Sequence, residues 1–151
     1  MNLKMMLLLI FPLASCLAQE INVRYQDSLV LLEKDLVKCI KEHSDNELDC
    51  RMEYYHALQY YEKEVYYAVS KIRDKTNTKA QTDEFIKAEV KWKDSSYWYL
   101  AKIMKEFQKT HPGKFVWTKG PGIKADARMF YQKNAQYFKD RINYLLSLVK
   151  S

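Results

Sequence analysis

Apolar residues recur at intervals of three and four along most of this chain, a spacing that predicts four amphipathic helices. The first covers residues 20–43 and the second residues 46–75. The third lies between turn formers at residues 74–78 and a loop at residues 111–122, and the last begins near Lys124. The predicted core positions, in chain order, are Leu29, Leu32, Leu36, Ile40, Cys50, Tyr54, Leu58, Tyr61, Val65, Val69, Ile72, Phe85, Ala88, Trp92, Tyr99, Ile103, Phe107, Ala127, Tyr131, Phe138, Ile142, Leu145 and Val149. Four such helices predict an all-α fold, an antiparallel bundle.

Glycine and proline are scarce and concentrated. Only 3 Gly and 3 Pro occur in 151 residues, and residues 111–122 hold every Gly and two of the Pro. A β-sandwich or barrel needs turn residues every few positions, so this composition excludes both. A hydrophobic content of 48% is enough for a packed core. We therefore expect one helical domain over residues 20–151 with a single Gly/Pro loop.

Residues 1–18 have the order of a secretory signal peptide. Lys4 precedes an apolar run over residues 5–14, and small residues follow. The run is about half the ~20 residues that a membrane-spanning helix needs, which indicates an export signal rather than an anchor. The alternative is a buried N-terminal helix. The predicted location is the periplasm or the outer membrane of a bacterium.

Two processing routes fit this leader. Leu13-Ala14-Ser15-Cys16 resembles a bacterial lipobox, which makes Cys16 a candidate lipidated N-terminus and its lipid the contact with the membrane. Alternatively, an ordinary signal peptidase cleaves after the small residue Ala18. Both routes take Cys16 out of the count of free thiols.

Cys39 and Cys50 then remain as a pair, and an oxidising compartment favours a disulfide between them. They lie at similar distances on either side of the predicted turn between the first two helices. In that turn Ser44 or Asp45 would be the N-cap, and Glu47 would complete a capping box from Ser44. The alternative is two free buried thiols.

Motifs for catalysis are missing from the sequence. No Gly-rich phosphate loop, CxxC, HExxH or GxSxG occurs, and His43, His56 and His111 share no helical face. Almost every carboxylate has Lys or Arg within four residues, which indicates solvated ion pairs rather than a catalytic pair. We therefore expect no enzyme, no metal site and no cofactor.

Several aromatic residues point away from the predicted core and are candidate contacts for a partner. On the second helix these are Tyr60 and Tyr67; the alternative is that both rings pack against another helix. On the third helix Trp98 shares its direction with four lysines, Lys87, Lys91, Lys102 and Lys105, and the last three are candidate contacts with it. An indole among lysines offers a flat surface ringed with positive charge. Trp117 in the loop is a further candidate, and the alternative for Trp98 is packing under that loop.

The charge balance bears on the class of partner. The formal net charge is +6, and loss of the leader with Lys4 lowers it to +5. Basic proteins often bind nucleic acid, but export makes nucleic acid a poor partner, and the acidic residues are interspersed among the basic ones. Anionic envelope polymers such as peptidoglycan or lipopolysaccharide suit this charge better.

One segment resembles a known family. Cys39 and Cys50, with ten residues between them and Asn46-Glu47-Leu48-Asp49 before the second cysteine, resemble the opening of the LprI-like lysozyme-inhibitor family. Further similarities over about residues 39–146 are Tyr55, Val65-Tyr66, the stretch from Phe85 through Ala88-Glu89 to Trp92, and Arg141 with Leu145-Leu146. The resemblance implies a small exported helical domain that inhibits a lysozyme.

The chain departs from that family at three places. Gln59, Glu62 and Lys63 stand where the family has an Asp-x-x-Leu-Asn core, Ser96-Tyr97 replaces an Arg-Asp pair, and a following cysteine is missing. The sequence thus predicts an exported, non-enzymatic envelope protein that binds a protein partner, such as a lysozyme or another wall-active enzyme. The alternative is a structural or adaptor lipoprotein that binds anionic envelope polymer.

Overall fold

The computed structural model describes residues 3–118, 120 and 122–149, with side chains described from Ala18 onward. Helices account for most of these residues: α1 (Leu3–Glu42), a one-turn 3-10 helix (Ser44–Asn46), α2 (Glu47–Thr76), α3 (Lys79–Thr110) and α4 (Ile123–Ser147). No strand is present in these ranges. The predicted all-α bundle of four helices with one Gly/Pro loop is confirmed, although Lys119 and Pro121 of the loop lie outside the described residues.

Helices α2 and α4 form the central pair, with α1 packed mainly on α2 and α3 mainly on α4. Their buried faces join in one continuous core. The fully buried side chains of this core include Leu58, Val65 and Val69 from α2 and Ile142, Leu145 and Leu146 from α4. Because burial of one such side chain stabilises the fold by about 2 kcal/mol, the α2–α4 pair is the frame on which the outer helices are arranged.

The predicted core positions are buried or half-buried with one exception. Ala88 of α3 is exposed, so this prediction is wrong. Since α3 packs mainly on α4, only a narrow stripe of α3 is covered, and Ala88 lies beside that stripe. Phe130 of α4, which the sequence analysis did not include, is buried.

The turn between α1 and α2 is closed differently from the prediction. Residues 44–46 form the 3-10 helix, and Asn46 is the N-cap of α2 without a side-chain hydrogen bond, so the predicted capping box is wrong. Glu47 instead accepts hydrogen bonds from Arg51 at 2.8 Å and from Arg128 of α4 at 2.7 Å. The hydrogen bond from Arg128 is the main reason that the pKa of Glu47 lies below its usual value. Glu47 turns away from the cap because two guanidinium groups, one on α2 and one on α4, outcompete a backbone amide.

Cys39 of α1 and Cys50 of α2 form a disulfide, with their Cα atoms 5.8 Å apart. The predicted pairing is confirmed. The bond joins the two helices close to the turn, beside the Glu47 contacts with α4.

Helix α1 continues through the region of the predicted leader. It begins at Leu3, well before the start expected at residue 20, and Ala18 is buried. The side chain of Cys16, the lipidation candidate, lies outside the described part of the chain. No helix has an apolar stretch long enough to cross a membrane, as far as the described residues extend. The division into a leader of 18 residues and a domain over 20–151 remains a prediction.

The loop between α3 and α4 is fixed at both ends and in the middle. The His111 ring hydrogen-bonds Asp126 at 2.7 Å. Gly122 directly precedes α4 with a φ of 78°, a conformation that strains any residue with a Cβ. Val116 is buried in the core, which turns its neighbour Trp117 outward.

A polar side chain without hydrogen-bond partners lies in the core. Asn134 of α4 is fully buried, and neither its amide nitrogen nor its carbonyl oxygen has a hydrogen-bond partner among the described residues. A buried group left unpaired costs about 1–3 kcal/mol. The unpaired amide of Asn134 therefore makes the fold less stable than an apolar side chain of the same shape would.

Replacing Cys39 and Cys50 together by Ala should lower the free energy of unfolding by about 3 kcal/mol, because the disulfide closes a short loop in the unfolded chain. Urea denaturation with and without reductant measures this difference. The double variant serves as the control, since reductant should leave its stability unchanged. Equal stability of the oxidised and reduced wild type would contradict the prediction.

Candidate partner-binding groove

An open groove with a volume of about 650 Å³ lies between α2 and α3. It forms because α3 packs mainly on α4 rather than on α2. Its lining comes from both helices and one residue of α4: His56, Gln59, Tyr60, Glu62, Lys63, Tyr66, Tyr67, Glu89, Trp92, Lys93, Ser96, Leu100 and Phe138. This is the site in which aromatic and charged side chains are most concentrated.

Aromatic rings form the walls and the rim of the groove. Trp92 is half-buried, and its ring meets that of Phe138 edge to face at 5.9 Å. Tyr66 stacks on Phe85 at 5.4 Å, where α2 and α3 approach each other. Tyr60 and Tyr67 stand at the rim, 73% and 64% exposed. The groove thus has fixed rings inside and accessible rings outside.

The floor of the groove holds a buried charge cluster that joins three helices. Arg141 of α4 donates from Nε to Glu62 Oε1 at 3.4 Å and from Nη2 to Glu89 Oε2. No side chain of the three is more than 6% exposed. The guanidinium carbon of Arg141 also lies 4.6 Å from the centre of the Trp92 ring. The prediction of solvated ion pairs is therefore wrong for these carboxylates, as it is for the buried Glu47.

Glu62 is the less neutralised of the two carboxylates. Glu89 has a second cation, since Lys93 Nζ lies 3.5 Å from Glu89 Oε1. Glu62 has only the longer contact with Arg141. Burial, followed by repulsion from Glu89, raises the pKa of Glu62 above its usual value despite the opposing effect of Arg141. Glu62 is therefore the carboxylate of the groove floor with the more distant ionic partner.

The rim of the groove carries the opposite charge. The ammonium group of Lys63 lies 5.7 Å from the Tyr60 ring centre, and that of Lys93 lies 5.7 Å from the Tyr66 ring centre. Cations held over ring faces in this way keep the rings oriented. The groove is thus acidic at its floor and basic at its edge.

The residues predicted as partner contacts lie on three separate surfaces. Tyr60 and Tyr67 belong to the groove, and their exposure excludes the alternative that both rings pack inside the bundle. Trp98 is 70% exposed and packs edge to face on Tyr97, so it does not lie under the loop. Trp117 is exposed on the loop and stacks on Phe115. The three lysines around Trp98, all exposed on α3, are Lys91, Lys102 and Lys105.

Glu62, Glu89 and Arg141 were missed as site residues, although the sequence carried a signal. Glu62 lies four residues after Leu58, and Glu89 lies four residues after Phe85, so both fall on predicted core stripes. Arg141 directly precedes the buried Ile142. Two acids and one base on core-facing positions indicate a buried ion cluster, because a single one of them would be too costly to bury.

The buried carboxylates are engaged in ion pairs. Each buried carboxylate in the described residues, namely Glu47, Glu62 and Glu89, has an arginine partner. No group of three or more potential metal ligands occurs in the described part of the chain. His56 lines the groove, whereas His111 is engaged with Asp126 at the loop.

No protein-family model, curated protein or solved structure matches this chain.

Glu62→Gln should raise the free energy of unfolding at pH 7, and Glu89→Gln should lower it by about 2 kcal/mol. The first change removes a carboxylate whose ionisation burial disfavours, and the second removes the closer partner of Arg141. Because the pKa of Glu62 is raised on folding, wild type gains stability relative to Glu62→Gln as the pH falls. The advantage of the variant should vanish below the ordinary glutamate pKa of 4.5.

Urea denaturation over this pH range is the measurement, and Glu84→Gln is the matched control. Glu84 is an exposed carboxylate on α3, so its replacement should change the stability by less than about 0.5 kcal/mol. Equal destabilisation by Glu62→Gln and Glu89→Gln would show that Arg141 depends on both carboxylates alike.

Proposed function

We propose that this protein is an exported, non-enzymatic protein of the bacterial envelope that binds a protein partner through the α2–α3 groove. The observation that carries the proposal is the pair of exposed rings, Tyr60 and Tyr67, at the rim of a groove whose floor holds buried charge. Exposed tyrosines beside a concave surface are typical of binding hot spots. They offer a large contact area at a low cost in conformational entropy.

A binding role also agrees with the state of the groove carboxylates. Glu62 and Glu89 both contact Arg141, which ties them to the fold rather than leaving a free acid and base for catalysis. The rings of Trp92 and Tyr66 are fixed by neighbouring rings, so a partner would meet a surface that is already ordered. Such preorganisation lowers the cost of association.

The charge of the groove floor favours a partner that inserts a basic side chain. A guanidinium or ammonium next to Glu62 would give this carboxylate a closer ionic partner than Arg141, and Trp92 and Tyr66 would contact the basic group or its aliphatic stem. Lysozymes are often basic, so the acidic floor gives this basic chain a local surface of the opposite charge. This supports a lysozyme or another wall-active enzyme as the partner, as the family resemblance implies.

The test uses the mature protein. Mass spectrometry should identify its N-terminus as either lipidated Cys16 or Gln19. It should bind a lysozyme and inhibit wall lysis. The double variant Tyr60→Ala, Tyr67→Ala should lose at least about tenfold in affinity. Glu62→Gln should also weaken binding, because it removes the charge that faces the basic group.

Tyr97→Ala is the matched control, since Tyr97 is equally exposed but does not line the groove. Calorimetry gives the affinities, and circular dichroism confirms that each variant is folded. Absence of inhibition at a large molar excess of wild type would reject a lysozyme as the partner. An equal loss of affinity in Tyr97→Ala would reject the groove as the binding site.

A second candidate function is adhesion to anionic envelope polymer through the outer face of α3. Trp98 is exposed there, and none of Lys91, Lys102 and Lys105 forms an ion pair with another described residue. Lysines that are not paired within the protein remain available to phosphate or carboxylate groups. This surface is separate from the groove, so the two functions can be tested independently.

Retention on peptidoglycan or lipopolysaccharide should decrease as the salt concentration rises. It should be lost in the double variant Trp98→Ala, Lys102→Ala. The matched control is Trp117→Ala, Lys114→Ala, which removes an equally exposed tryptophan and lysine from the loop. A similar loss in both double variants would indicate nonspecific charge attraction, and retention by the α3 variant would reject the face.

A further inference from the structure

The outer face of α1 carries a row of exposed aliphatic residues. Four of them, each between 47% and 67% exposed, lie along the helix: Val23, Val30, Leu31 and Val37. The valines are seven residues apart, so successive ones are offset by only about 20° around the helix. The buried Leu29 and half-buried Leu36 point to the opposite side, toward the bundle. This row is therefore an apolar face that no other described helix covers.

Four of the charged residues of this face, two acids and two bases, are arranged symmetrically about its centre. Asp27 lies three residues before Val30, and Lys34 lies three residues after Leu31. Glu20 and Lys41 lie ten residues before and after the same two positions. All four charged residues are exposed. An acid before the centre is thus matched by a base at the same distance behind it.

We propose that this face binds a second copy of the chain, with the two α1 helices antiparallel across a two-fold axis between Val30 and Leu31. In that arrangement Val30 meets Leu31 of the other copy, and Asp27 meets Lys34. The symmetry repeats each contact, as it does in any two-fold interface. The proposal is independent of the function assigned to the groove, because no residue of α1 lines the groove.

The charge pattern selects the antiparallel arrangement over the parallel one. Parallel helices in register would place each Lys34 beside the other Lys34 and each Asp27 beside the other Asp27. Like charges at such contacts oppose association. Antiparallel helices instead form two Asp27–Lys34 pairs and two Glu20–Lys41 pairs. The same sequence thus attracts a second copy in one orientation and repels it in the other.

The valines near the ends of the face are also covered in this arrangement. Val23 meets Lys38 of the other copy, and Val37 meets Arg24, so the aliphatic stems of the two cations lie over the methyl groups. Residues 20–41 extend over about 32 Å of helix. One helix pair of this length gives an area at the lower end for specific interfaces, which indicates a reversible dimer. Both predicted processing routes leave Glu20 in the mature chain.

Sedimentation equilibrium of the mature protein over a range of concentrations tests the proposal. Wild type should show a reversible monomer–dimer equilibrium. The single variants Lys34→Glu and Asp27→Lys should each weaken the dimer at least about tenfold, since each change places like charges across the axis twice. An equimolar mixture of the two single variants should associate again, because both contacts between positions 27 and 34 of the mixed dimer then join opposite charges.

Lys109→Glu is the matched control, since it makes the same charge change at an exposed position of α3. It should leave the dimer unchanged, and circular dichroism should show all variants folded. A wild type that stays monomeric at the highest concentration would overturn the proposal. So would a mixture of the two folded single variants that fails to associate, or a Lys109→Glu variant as weakened as Lys34→Glu.

Discussion

The guanidinium of Arg141 on α4 donates to Glu62 of α2 and to Glu89 of α3, so one side chain ties three of the four helices together. Two carboxylates and one guanidinium are costly to remove from water, and the attraction of the carboxylates for the shared guanidinium offsets part of that cost. The face of Trp92 covers the guanidinium and keeps water away from it. Each of the two helices must hold its carboxylate within reach of the same arginine, and this requirement sets the distance between α2 and α3.

The groove is the consequence of that distance. Stacked rings of Tyr66 and Phe85 join α2 and α3 at one point, whereas the gap above the shared arginine is open to solvent with rings on both sides. The unequal share of positive charge leaves Glu62 with only the longer contact to Arg141, whereas Glu89 also contacts Lys93. Glu62 and Glu89 therefore belong both to the buried ion cluster and to the lining of the groove that suits a basic side chain.

The groove and the outer face of α1 involve different helices, so partner binding and self-association do not compete for residues. In the proposed dimer each assembly carries two grooves. A partner with two accessible sites, or a wall-bound array of partners, would then be held more tightly than by a single groove. The disulfide and the Glu47–Arg128 contact fix the end of α1 at the turn, which keeps that helix in place for both roles.

The sequence by itself determined the four helices, the single loop, the Cys39–Cys50 pair and the outward direction of Tyr60, Tyr67 and Trp98. Periodicity suffices for these because the direction of a side chain around its own helix follows from residue number alone. Only the tertiary structure decided which helix each face meets. The predicted capping box at Ser44 does not form because Glu47 accepts a hydrogen bond from Arg128, which lies 81 residues further along the chain. The carboxylates of Glu62 and Glu89 are buried because both contact Arg141 on a third helix. The spacing of charges along the sequence does not show which residues of different helices come into contact.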